Sequence, residues 1–123
     1  MLTAANLAAF VATTDVERSR TFYEKILGLR LVEQTPGRLV FDARGAPLRV
    51  SLVPKLDPGE HTVLGWQVAD AGRTARDLAS RGVAFDRFED LDQNELGIWT
   101  APDGAHVAWF RDPDGNVLSI TEA

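Results

Sequence analysis

The chain of 123 residues contains no cysteine. That absence removes disulfides, zinc–thiolate sites and cysteine nucleophiles together. It also argues against a small disulfide-stapled secreted scaffold, so a reducing compartment, the cytoplasm, is the expectation. No apolar run approaches the roughly 18 residues that cross a bilayer. The opening residues, Met1 to Asn6, hold neither a basic cluster nor an apolar stretch, so neither a membrane span nor a signal peptide is expected. Basic side chains are outnumbered, 13 against 18 acidic ones, for a net charge of −5. Phosphate backbones call for clustered Lys and Arg, so nucleic acid is not an expected partner. The same balance weakly favours a cationic over an anionic ligand, although net charge says little about one pocket. Histidine is scarce too. His61 and His106 are the only two, and neither has neighbours at a spacing that suggests a nucleophilic triad.

What is present is an ordinary globular composition, 45% hydrophobic and 25% charged, in a length that suits one domain with a real core. The pattern occurs twice. Leu7 to Thr13 is an apolar run leading to Asp15, an amphipathic stretch and Gly28; Val63 to Val68 leads to Asp70, a second amphipathic stretch and Gly82. Asp70 lies 55 positions after Asp15, and Gly82 lies 54 after Gly28. Two copies are too few for a solenoid. They predict a pair of similar modules, about 1–54 and 61–123, joined by a linker at 54–60, with a shared face where a small molecule would bind.

Each Asp can accept from exposed amides in the first turn of a helix, and each Gly suits the left-handed position that stops one. Val16, Phe22, Tyr23, Ile26 and Leu27 mark the first apolar stripe; Ala71, Ala75, Leu78 and Ala79 mark the second. Both helices are expected to run about three turns. Other runs alternate as half-buried strands do. Leu48, Val50 and Leu52 alternate with Arg49, Ser51 and Val53; Leu39 and Phe41 with Arg38, Val40 and Asp42; Leu64, Trp66 and Val68 with Val63, Gly65 and Gln67; Leu118 and Ile120 with Val117, Ser119 and Thr121. The first set in each case is expected under the helices, the second on a concave face. Phe10, Trp99 and Phe110 lie on alternating runs whose register is open by one residue, and a one-residue slip would turn each of them over. The acidic stretch 86–95 reads as a solvated loop, since its spacing lacks the calcium-loop pattern.

Two segments carry a resemblance: Asp15-Val-Glu-Arg-Ser-Arg-Thr-Phe-Tyr-Glu-Lys-Ile-Leu-Gly-Leu29, and Phe110-Arg-Asp-Pro-Asp-Gly-Asn-Val-Leu118. The first resembles the helix opening and Phe-Tyr pair of the vicinal oxygen chelate superfamily, which groups glyoxalase I, bleomycin-resistance proteins and extradiol dioxygenases. The second resembles that family's terminal hairpin. In order around the repeat they span nearly the whole chain. The resemblance implies an α+β fold of two βαβββ modules, a half-open, mixed-sheet barrel around a concave cleft. It also implies a homodimer.

Members of the family usually hold a divalent metal with His, Gln or Glu from four strand positions. Carried over residue by residue, those positions fall at Ala8, Ser51, Val63 and Ser119. Alanine and valine have no donor atom, and neutral hydroxyls are poor ligands for a divalent ion. No cofactor is therefore expected, and a divalent metal at a displaced site through His61, with His106 or Asp42 nearby, is the alternative. The resemblance thus implies a protein that binds an unidentified small molecule in its cleft, lined by Phe10, Arg49, Ser51, Val63, Gln67, Trp99 and Ser119. Arg49 would either meet an anionic ligand group or pair with an acid such as Asp42. The alternatives are an enzyme of the superfamily (a glyoxalase-like lyase, isomerase or dioxygenase) with His61 or His106 as its acid–base group, and an interaction protein whose cleft is incidental.

Overall fold

The computed structural model describes residues 1–123, which divide into two compact units, Met1–Asp57 and Pro58–Ala123. In the first, strand β1 (Ala9–Thr13) leads to helix α1 (Val16–Arg20) and then to β2 (Arg30–Thr35), β3 (Arg38–Ala43) and β4 (Ala46–Leu52). In the second, β5 (Thr62–Gln67) leads to helix α2 (Ala71–Ser80) and then to β6 (Trp99–Thr100), β7 (His106–Arg111) and β8 (Val117–Glu122). The sheets have equivalent orders, β1-β4-β3-β2 and β5-β8-β7-β6. In each, the first strand runs parallel to the last and the other pairs are antiparallel. The repeated pattern is thus the same βαβββ connection made twice.

Both helices begin as their sequences dictate. Asp15 and Asp70 are extended, and each side chain accepts from a backbone amide three residues on, Arg18 and Arg73, at 3.0 Å. Gly28 and Gly82 take φ of 75° and 95° and end the helical segments. The first helix departs from the regular three turns its sequence predicts. After Arg20 it widens into a π-helical stretch, Thr21–Ile26, and Leu27 N–H donates to the Phe22 carbonyl at 3.0 Å. A wider turn lets two adjacent aromatics face the sheet together. Phe22 and Tyr23 are both buried and meet edge-on at 5.1 Å, with Tyr23 packed on Phe41 at 5.9 Å.

Alternation decides which face each helix covers. In the first unit Val11, Leu39, Phe41, Leu48 and Val50 are buried on the helix side. In the second, Ala108, Phe110, Leu118 and Ile120 are buried there against Ala71, Ala75 and Leu78 of α2. Each large apolar side chain so buried contributes about 1.5–3 kcal/mol. Phe41 is core as its sequence pattern predicts, whereas Trp66 is half-buried. The opposite face of each sheet has no helix of its own unit on it.

Candidate functional site

On the first sheet, the register fixes the helix-free face. Phe10 lies opposite Arg49 and Ala12 opposite Ser51 across the β1–β4 pair. Arg38 lies opposite Ser51, and Val40 opposite Arg49, across the β3–β4 pair. Directly opposed residues share a face, so Phe10, Ala12, Arg38, Val40, Asp42, Arg49 and Ser51 stand together. A bulge between Leu31 and Glu33 inserts Val32 and puts Arg30 and Glu33 on this face as well. The acids here are taken. Arg30 pairs with Asp42 at 3.3 Å and Arg38 with Glu33 at 3.2 Å. Arg49 makes no ion pair and stands over the Phe10 ring, 5.5 Å from its centroid. Phe10 is 62% exposed, as befits a ring that no core element covers.

On the second sheet, the helix-free face carries aromatic rings. Trp99 lies opposite Val107, and Trp109 opposite Ser119. The two indoles are 6.0 Å apart at 33°, and Phe88 meets Trp109 edge-on at 5.5 Å. Phe88 comes from the loop that the sequence presents as solvated. The Gln93 side chain holds that loop: its amide nitrogen donates to the carbonyls of Asp86 and Gly97, both at 2.9 Å, and its oxygen accepts from Phe88 N–H at 2.8 Å. Arg111 adds an ion pair to Asp86 at 2.9 Å, and Arg87 donates to the Glu95 carbonyl at 2.8 Å. Phe88 and Trp109 are the site residues that the sequence pattern does not single out. The signal available for Trp109 was its place two residues from Val107 on an alternating strand.

Ser119 lies at the centre of this face, only 8% exposed, opposite Gly65 of β5. A side chain at Gly65 would put its Cβ 2.8 Å from the Ser119 Oγ, so glycine there makes room for the hydroxyl. Gln67 is exposed near the end of β5, and Val63, 52% exposed, is the extra residue of a bulge between Thr62 and Leu64. Phe110, by contrast, is in the core, with its ring 5.6 Å from Phe85.

The two histidines are not part of these faces. His61 is exposed and precedes β5, which starts at Thr62, so the strand does not carry it onto the face. His106 lies opposite Glu122 on the helix-covered side, in line with Ala108 and Phe110. Its Nδ1 is 3.0 Å from the Thr100 Oγ1, and it borders a cavity of about 230 Å³ with Arg76, Asn94 and Glu122. The helix amide of Ala71 donates to Glu122 there at 2.8 Å. The His61 side of β5 lies by the Val117 end of β8, while His106 lies by the Glu122 end. Five residues of strand separate those ends, roughly 16 Å. His61 and His106 are therefore not brought together, and Asp42 is held by Arg30.

The sequence profile of the Glyoxalase/Bleomycin resistance protein/Dioxygenase superfamily matches residues 5–120, and the chain belongs to that superfamily. It is similar to a member of the superfamily from Sphaerobacter thermophilus DSM 20745, with 25% identity, full coverage of both chains (100% and 100%) and a TM-score of 0.73. A lactoylglutathione lyase from Agrobacterium tumefaciens shares the fold at 15% identity, covering 98% of this chain and 94% of that one, with a TM-score of 0.75. So does a glyoxalase family protein from Enterococcus faecalis, at 15% identity, 99% and 100% coverage and a TM-score of 0.76. No curated protein matches the chain.

By the resemblance, the metal that the superfamily implies would need donors at Ala8, Ser51, Val63 and Ser119. Two of these side chains are hydrocarbon and two are neutral hydroxyls. No three His, Asp or Glu side chains gather elsewhere in a way that could hold an ion. This donor set does not fit a divalent cation.

Proposed function

We propose that the chain is a small-molecule-binding member of the superfamily that takes its ligand on a helix-free sheet face without a divalent metal. The observation that carries this reading is the trio of Phe88, Trp99 and Trp109. Three rings stand on a sheet face with no helix over them, and a dedicated hydrogen-bonding side chain, Gln93, holds the loop that supplies one of them. Aromatic surface of this kind, with Ser119 at its centre and Gln67 and Thr121 beside it, suits an apolar ligand body with a few polar anchors. The enzymatic alternative needs an acid–base group on the same faces. Neither histidine stands there, and the carboxylates Glu33, Asp42 and Asp86 are each bonded to an arginine.

A thermal-shift screen of drug-like and natural-product compounds tests the reading. A specific binder raises Tm by mass action and changes tryptophan emission. Trp109→Ala is expected to weaken that binder about tenfold or more, with Phe88→Ala weakening it less. A uniformly flat screen, or a binder indifferent to both variants, would contradict it.

A further inference from the structure

We infer that the helix-free face of the first sheet binds the carboxylate of a singly charged organic acid, gripped by Arg49 with help from Ser51 and Arg38. The inference rests on the reading above that helix-free sheet faces bind small molecules, and names the chemistry of the ligand that the first sheet's face takes by itself. Charge accounting on this face leads to it. Three guanidinium groups stand there, those of Arg30, Arg38 and Arg49, against two carboxylates, those of Asp42 and Glu33. The acids pair with Arg30 and Arg38, which leaves Arg49 as one uncompensated positive charge in a chain whose net charge is −5. The acidic balance of the whole chain, which taken alone favours a cationic ligand, is thus reversed locally.

Arg49 is also preorganised. It is half-buried, and its guanidinium carbon lies over the Phe10 ring, 5.5 Å from the centroid. A cation–π contact of this kind restrains the side chain without using its N–H groups. Two further donors lie within reach. Ser51 is two residues along the same strand on the same face, and its hydroxyl makes no hydrogen bond within the protein. Arg38 is directly opposite Ser51, and its Nε is buried with no acceptor in the protein. A buried N–H without a partner is costly enough that native structures rarely keep one. An oxyanion at this point would accept from Arg49 and Ser51, and from Arg38 once its Nε–H turns outward. A guanidinium edge matches a carboxylate in geometry, and one uncompensated positive charge matches a monoanion rather than a dianion. Ser51 occupies one of the family's metal-ligand positions, so on this chain an arginine cluster would do the anchoring that a metal does elsewhere.

The test is a titration of ¹⁵N-labelled protein with benzoate, benzyl alcohol and phenyl phosphate, observing the Nε–Hε signals of Arg49 and Arg38. Benzoate is expected to shift both signals in a saturable way. Arg49→Gln should weaken it about tenfold or more, and Arg49→Lys should restore only part of the affinity, because an ammonium lacks the planar fork. Benzyl alcohol should leave the two signals unmoved. No shift with benzoate at millimolar concentration, or an affinity unchanged in Arg49→Gln, would overturn the inference. Tighter binding of phenyl phosphate than of benzoate would overturn the choice of a monoanion. The broader reading fails separately. If the compound screen yields a Trp109-dependent binder while benzoate moves neither arginine signal, small-molecule binding stands and the carboxylate assignment falls; if the screen is flat, the broader reading is lost as well.

Discussion

Phe110→Ala is expected to destabilise the protein by about 3–5 kcal/mol, whereas Phe10→Ala should change stability by less than about 1 kcal/mol. The two residues are the same type in similar alternating runs, yet the folded protein treats them differently. Phe110 has no exposed surface; it stacks edgewise on Phe85 and lies in register with Leu118 of the neighbouring strand. Removing its ring leaves a cavity among groups that cannot all collapse into it. Phe10 keeps most of its surface in water and touches the guanidinium of Arg49. Its loss should show in the mobility of the Arg49 side chain far more than in stability. Urea unfolding of the two variants gives the comparison. Similar costs for both would mean that the sheet faces are assigned the wrong way round.

Gly97→Ala is the second large effect, expected at about 2–5 kcal/mol. Two penalties act at once. Gly97 has φ of 89°, a backbone region that alanine enters only under strain. Its Cβ would also lie 2.8 Å from the Cβ of Phe85, a backbone-anchored atom that cannot rotate away. Phe85 packs on Phe110, so relief of the clash would disturb the core. The Gly97 carbonyl accepts from Gln93, so the variant should also loosen the loop that presents Phe88. Gly82→Ala is the control. With φ of 95° and nothing within 4 Å of the added carbon, it meets the conformational strain alone, about 1–2 kcal/mol. Chemical denaturation with tryptophan emission as a second readout separates the two. Equal costs would show that the Phe85 contact does not matter.

Much of the fold is legible in the sequence because its signals are local. Asp15 and Asp70 cap helices through bonds that reach three residues, and the alternation around Leu48, Leu39 and Leu118 reports strand faces directly. The same alternation places Arg49 and Ser51 on the helix-free face. What the sequence conceals depends on contacts between distant segments. Phe10 and Phe110 could not be told apart, since their faces turn on strand register, which pairing partners settle. The bulges at Val32 and Val63 and the π-helical stretch after Arg20 have no periodic signature. The aromatic trio is hidden for a further reason. Phe88 sits among acidic residues that look solvated, and its position comes from one glutamine reaching backbone groups four to seven residues away. That Arg49 has no acid partner is equally invisible in the sequence, because it turns on Asp42 being taken by Arg30.

The most direct measurement of the central claim is the metal content of the purified protein, followed by calorimetric titration with Zn, Ni, Mn and Fe ions. With Ala8, Ser51, Val63 and Ser119 at the positions where the resemblance puts the superfamily's ligands, less than stoichiometric metal and no specific binding isotherm are predicted. One equivalent of any of these metals per chain, bound at micromolar or tighter affinity, would contradict the account.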